Sequence, residues 1–427
     1  MRILIIITLL LFFIGSTESN SNFPTEKLQD WSQFRGPNRD GKSPEKGLLK
    51  KWPENGPEKI WTVSGIGEGH SSVSVSNEMI YTTGIIDDRD ILTAFDKSGN
   101  KLWQVDYGEG WTTAIPGVRV SPTIHDDKLY LISGMGKINC LNAADGSVIW
   151  SLDAYNDFEG ECGVWGIAEN LLIVDNKLIY TPGGTETTMV ALNKLNGSII
   201  WKTESLDDKT GYVSPILIER NGKKVITTIT ANYFIGVNAS DGKMEWEIKY
   251  TDFKTPDFDE EGSEINCVNP IYKNGKIFIT SGYDHTAIMF NLSEDASSVD
   301  VAWKEVIFDN HHGGVVEVDG FLYGSNWLHN SAGNWLCLNW ETGEVMYETK
   351  WKNKGSIIYA DGLLYCYEER RGNIALVEPT PEKFKIISTF RVDHGSGPHW
   401  AHPVIHDGIL YIRHGETLGA YSIKDQI

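Results

Sequence analysis

An aromatic residue returns four positions after a turn glycine again and again along this chain. AFDKSGNKLW ends at Trp103, LNAADGSVIW at Trp150, ALNKLNGSIIW at Trp201 and GVNASDGKMEW at Trp246, while LNWETGEVMY ends with Tyr347 in the tryptophan place. Each copy has an Asp or Asn, then the glycine, then the aromatic. Self-similarity of this kind marks an array of one supersecondary unit, and it constrains the fold more than any single motif.

Each unit reads as four short strands. A first strand leads into a turn such as Asp126-Asp127 or Asn274-Gly275, and a second carries runs such as KLYLIS or KIFITS. A third holds the Ala-Leu-Asn pattern, and after the glycine a fourth ends in the aromatic. Apolar residues alternate with period two and turn residues recur every 8 to 12 positions or so, which suits strands and not helices. The second-strand residues Tyr81, Tyr130, Tyr180, Val225, Phe278, Tyr323, Tyr365 and Tyr411 mark eight units. The last unit stops after its third strand, in LGAYSIKDQI, and EKIWTV near the other end supplies the missing fourth, with Trp61 as its aromatic. The expected fold is therefore all-β: a single eight-bladed β-propeller of four-stranded blades over residues 57–427, closed by pairing the N-terminal strand with the C-terminal blade. Closure removes the sheet edges that invite aggregation. Residues 20–56 form a lead-in segment, of which DWSQFRGPNRDG, Asp30 to Gly41, is expected to pack across one face.

The first residues, MRILIIITLLLFFIGSTES, have one positive charge, an apolar run from Ile3 to Ile14 and then small polar residues. This layout predicts a signal peptide over 1–19, cleaved between Ser16 and Ser19. The run is short for a membrane span, and no later window reaches the roughly 18 apolar residues that one needs. No cysteine precedes Cys140, so the start offers no acceptor for a lipid anchor. The expected product is a secreted or periplasmic monomer that is not a lipoprotein. With 58 acidic against 38 basic residues the net charge is -20, which repels nucleic acid. The five cysteines include no CxxC, and Cys140 and Cys337 stand where Ala94 and Ala191 stand in other units, as small buried residues would.

The pattern Ala-x-Asp/Asn-x-x-x-Gly-x-x-x-Trp, present as AFDKSGNKLW and ALNKLNGSIIW, resembles the repeat of pyrroloquinoline quinone (PQQ) dehydrogenases and their relatives. The resemblance runs from about Glu58 to the C-terminus. It implies the propeller fold and is less specific for activity, because the repeat residues are structural. The family includes quinoprotein alcohol dehydrogenases, the barrel-assembly lipoprotein BamB, which has no cofactor, and exported single-propeller proteins of unknown role. The lead-in WSQFRGPNRDG and the HHGG stretch at His311 look most like the last group. This chain lacks the adjacent cysteine pair that covers the quinone in many of the dehydrogenases, and it lacks the lipidation cysteine of BamB.

Equivalent positions of a propeller lie at one height. Eleven places before each second-strand residue, with the fourth unit shifted in register, stand His70, Arg119, Glu169, Tyr212, Cys267, His312, Lys354 and Trp400. A purely structural position would tend to hold one residue type; this one holds both charge signs and several titratable groups, as functional rims do. A channel mouth is also wet and polar whatever the protein does. His311 is expected behind His312, since neighbours on an extended strand face opposite ways. His285, His329, His394, His399 and His414 fall at the same end, as do Trp111, Trp165, Trp327 and Trp335, whose flat faces suit a quinone or sugar ring. The acidic loop Thr251 to Glu264 reads as solvated, without the spacing of a calcium loop.

Two principal functions follow. In the first, the propeller binds a small molecule, glycan or protein at the rim through His70, Arg119, Tyr212, Lys354, Trp400, His311 and Trp165. In the second, which the resemblance implies, it is a PQQ-dependent dehydrogenase of an alcohol or sugar. There Arg119 and Lys354 would pair with the quinone carboxylates, Glu169 or His312 would act as the catalytic base, and Glu169 with Asn170 would hold Ca2+. A polysaccharide-processing enzyme using Arg119, Tyr212 and the histidines is a third reading. Whether any cofactor binds is left open by the residues themselves.

Overall fold

A computed structural model describes residues 30–253 and 264–425. The expected signal peptide and the central part of the acidic loop lie outside the described residues. Among the described residues there are eight four-stranded antiparallel sheets, one of them extended by a short parallel strand, arranged as the blades of a propeller. Blade 1 is typical, with strands Ser74–Ser76, Met79–Ile86, Arg89–Asp96 and Lys101–Glu109 from the axis outward. Helix is confined to single turns at Ala154–Asp157 and Tyr250–Asp252. Among the described residues no helix is long and apolar enough to cross a membrane.

The repeat motif has a direct packing role. In the strand register the aromatic stands opposite a small residue: Trp103 opposite Ala94, Trp150 opposite Cys140, Trp201 opposite Ala191 and Tyr347 opposite Cys337. The small side chain leaves the indole room to lie flat. Its far edge then meets the turn glycine of the next blade. A Cβ on Gly146 would stand 2.9 Å from Trp103, one on Gly197 2.8 Å from Trp150, and one on Gly242 2.7 Å from Trp201. Three of the indoles complete the dock by donating to a backbone carbonyl of the next blade: Trp150 to Lys194, Trp201 to Ala239 and Trp303 to Trp340.

The ring closes across the ends of the chain. Strand Glu58–Ser64 pairs antiparallel with Thr417–Ser422 as the outermost strand of blade 8, placing Trp61 opposite Ala420. Trp61 donates to the Lys97 carbonyl of blade 1, so the seam is joined as the boundaries made by Trp150, Trp201 and Trp303 are.

The lead-in differs from its expected place. It does not lie across a face but enters the axis and plugs the channel. Val75 donates to Trp31, Ile124 to Ser32 and Tyr359 to Gly41, all through backbone amides of the innermost strands. Arg39 spreads its guanidinium over the carbonyls of Asn170, Leu171 and Pro215. Arg35 donates to Val315 and meets Nδ1 of His402 at 3.2 Å. Orphaned carbonyls at the wide end of a propeller channel need donors, and two arginine forks supply them. Lys42–Ser43 then pairs parallel with Tyr359–Ala360 of blade 7.

Candidate functional site

Above the plug lies a cavity of about 320 Å³. Its floor is Phe34, whose ring meets His402 edge-on at 5.1 Å. His70, Arg119, Tyr212, Cys267, His312 and Trp400, taken from the predicted ring, line its wall, with Trp165, Asn170 and His311 beside them. Ile115, Ile265, Tyr283, Asn330 and Glu369 complete it as residues that the repeat alignment does not reach.

Two ring members turn elsewhere. Glu169 is buried outside the lining, and its Oε2 accepts from the Thr181 amide at 3.1 Å. Burial pushes its carboxyl up to about 8, against the pull of Arg39 in the plug. Lys354 lies beneath the wall, 1% exposed, and donates to Glu369 Oε1 at 2.6 Å and to the carbonyls of His329 and Asn330. Equal backbone height thus does not fix where a long side chain points. Trp335 also leaves the mouth: it is buried and donates to Asn353.

The two adjacent histidines do not face opposite ways. Residues 311–315 lie outside any strand, with a bend at His312 and Gly313 and Gly314 at φ +73 ahead of the strand Val316–Val318, so the alternation expected of a strand does not apply. Both rings line the cavity, with centroids 4.4 Å apart. His311 Nε2 lies 3.2 Å from the Tyr283 hydroxyl. His312 Nε2 lies 3.2 Å from Glu369 Oε2, off the line of a hydrogen bond. Trp400 presents its ring to His70 at 4.9 Å and to His312 at 5.3 Å.

Electrostatics separate these groups. Burial and then the nearby cations Arg119 and Arg413 hold His70 down to about 3, so it is a neutral imidazole. Burial, with His312 and Lys354, also holds His311 well below the usual range. His402 is held down to about 3 by burial and Arg35. Since Arg35 can only donate, Nδ1 of His402 accepts and Nε2 carries the proton, donating to the His312 carbonyl at 2.8 Å. Burial raises the Glu369 carboxyl, but His312 and Lys354 more than offset it and leave it below the ordinary value. Arg119, half-buried, is lowered by desolvation; it donates to the carbonyls of Gly117 and Ile115.

A family model described as outer membrane protein assembly factor BamB matches residues 87–353, more than half of the chain. The chain belongs to the PQQ-like β-propeller family. One curated PQQ-like relative, quinoprotein alcohol dehydrogenase PedH of Pseudomonas putida, is 28% identical over 141 residues, covering 30% of this chain and 22% of PedH. The match therefore spans under a quarter of that relative. BamB from Moraxella catarrhalis superposes with a TM-score of 0.61 at 11% identity, over 86% of this chain and 99% of BamB. Quinohemoprotein alcohol dehydrogenase from Comamonas testosteroni gives 0.68 at 10% identity, over 93% and 81%. These likenesses are of PQQ-like fold alone.

Proposed function

We propose that this propeller binds a small ring-bearing anion in the plugged mouth of its channel. Arg119 carries the reading. Its guanidinium is partly desolvated on a wall rich in rings, and no carboxylate among the described residues stands within ion-pair reach of it. A cation so placed gains most from a carboxylate or phosphate. Phe34, Trp165, Tyr212 and Trp400 offer flat faces to the ring that bears it. The cavity is of the size that small ligands fill.

PQQ, a planar polycarboxylate, falls within this class, and so does a terminal uronic acid of a glycan. The calcium that the resemblance would add does not fit Glu169 and Asn170. Glu169 lies outside the cavity lining with its carboxyl raised to about 8, Oε2 taken by the Thr181 amide and Oε1 alone without a partner, and Asn170 Oδ1 accepts from the Ser121 amide while its NH2 donates to Ser214. Nor do the cysteines form a cover, since all five are free. A dehydrogenase of the expected kind, with Glu169 as base and calcium ligand, is therefore not the reading we favour.

The test is a titration with PQQ, with and without calcium, and separately with an oligogalacturonate, read by tryptophan fluorescence and thermal shift. Saturable binding of at least one, weakened about tenfold or more in Arg119→Ala with the variant's own melting temperature nearly unchanged, is the expected result. Calcium should leave it unaltered. Binding that ignores Arg119→Ala, or none at all, would remove the proposal. If Arg119→Ala and His312→Ala both chiefly unfold the protein, the rim is a structural element.

A further inference from the structure

Three residues on one side of this pocket each have a buried polar atom without a hydrogen-bond partner: His311 Nδ1, His312 Nε2 and Glu369 Oε2. One ring nitrogen from each histidine and one carboxylate oxygen lie within 4.8 Å of one another. We infer that His311, His312 and Glu369 form a binding site for a divalent transition-metal ion of the zinc class. The inference rests on the pocket being the functional site, and it names what would hold the ligand at the end away from Arg119.

The donor set is two imidazoles and one carboxylate, which suits Zn2+ or its neighbours and not Ca2+. Spacing agrees. Ligands about 2.0–2.1 Å from a tetrahedral ion stand about 3.3 Å apart, and His312 Nε2 and Glu369 Oε2 are already 3.2 Å apart. A histidine–carboxylate contact does act on this pair, since His312 draws the Glu369 carboxyl down, but the contact is off the hydrogen-bond line, so it leaves both atoms without a full partner, and Glu369 already has a cation in Lys354.

The surrounding groups hold the donors as outer partners of metal ligands do. Lys354 occupies Glu369 Oε1 and leaves Oε2. The Tyr283 hydroxyl occupies His311 Nε2 and leaves Nδ1. His402 fixes the backbone of His312 through its carbonyl. With three protein ligands, the fourth position opens on the cavity, as at zinc sites that bind an exchangeable ligand. Lys354 and the metal are both positive, so an anion in that fourth position would be favoured.

Protein stripped with EDTA is titrated with Zn2+ alone, and with Co2+ for its visible absorption, with no organic ligand present. One equivalent should bind, with His311→Ala and Glu369→Gln each weakening it about tenfold or more. His125→Ala, at the far end of the strand Thr123–His125, should bind as the parent does. Should either site variant fold poorly, unsubstituted protein is modified with diethylpyrocarbonate, and Zn2+ should protect His312 from it. Absence of stoichiometric binding, or binding indifferent to both site variants with no protection of His312, overturns the inference. Metal bound in this way while PQQ and uronate both fail would leave the site standing and remove only the ring-bearing anion.

Discussion

Glu368 and Glu369 are neighbours with different duties. Glu368 holds its own turn, accepting from the amides of Arg370, Arg371 and Asn373, while Glu369 reaches the cavity. The same division splits Glu169 from Asn170. Sequence alone brings six of the eight ring residues to the cavity wall, because blade equivalence fixes backbone height. It misses Glu369 because that residue lies in a loop between the second and third strands, where nothing repeats. It misplaces Lys354 and Glu169 because their partners, Glu369 and the plug, come from segments outside the aligned strands. Arg39 was legible only as part of an odd lead-in. It is 3% exposed, and its positive φ of 58 is tolerated because four acceptors hold the side chain. Arg39→Met would leave the carbonyls of Asn170 and Pro215 without donors, while that of Leu171 would keep the Thr123 hydroxyl. We expect a loss of about 2–4 kcal/mol, measured by urea unfolding against the parent.

At the scale of the element, the four-residue spacing from glycine to tryptophan proves to serve two different contacts. The tryptophan of one blade needs the glycine of the next, not its own. Gly146 illustrates the demand: its φ is +73 and an added Cβ would press on Trp103. Gly146→Ala should therefore cost about 1–3 kcal/mol, seen as a lower urea midpoint with an unchanged slope. In blade 5 the turn is longer, and Ala296, at φ +49 and fully buried, packs in the cluster that holds Trp246. The periodicity made these strands readable since each repeats a two-residue alternation several times. The lead-in could not be placed in that way. Its structure comes from carbonyls of blades 3, 4 and 6, amides of blades 1, 2 and 7 and the His402 ring beside blade 8, which only the assembled ring brings together.

Across the whole molecule, buried acids and buried histidines pull stability in opposite directions. Burial raises Asp90 to about 7 and Glu169 and Asp309 to about 8. The folded state keeps these protons after the unfolded chain has lost them, so their contribution is full below about pH 4 and is lost progressively until pH has risen through the folded values of 7 to 8. His70, His399 and His402, held down to about 3, act the other way: the unfolded chain takes up protons below 6.5 and the folded state does not. The two sets oppose one another below pH 6.5, and above it only the acids remain. Thermal melts should be nearly flat between about pH 4 and 6.5, where the two sets offset one another, and decline from there towards pH 8, less steeply in Glu169→Gln. The plug has a consequence for this same closure. The pocket takes its floor from Phe34, near one end of the described chain, and part of its wall from Trp400 and His402, just before the blade at the other. A ligand resting there, as proposed, would touch both sides of the seam, so occupancy would act as a latch: by mass action it would hold the ring shut, and a ring that has not shut would have no seat to offer it.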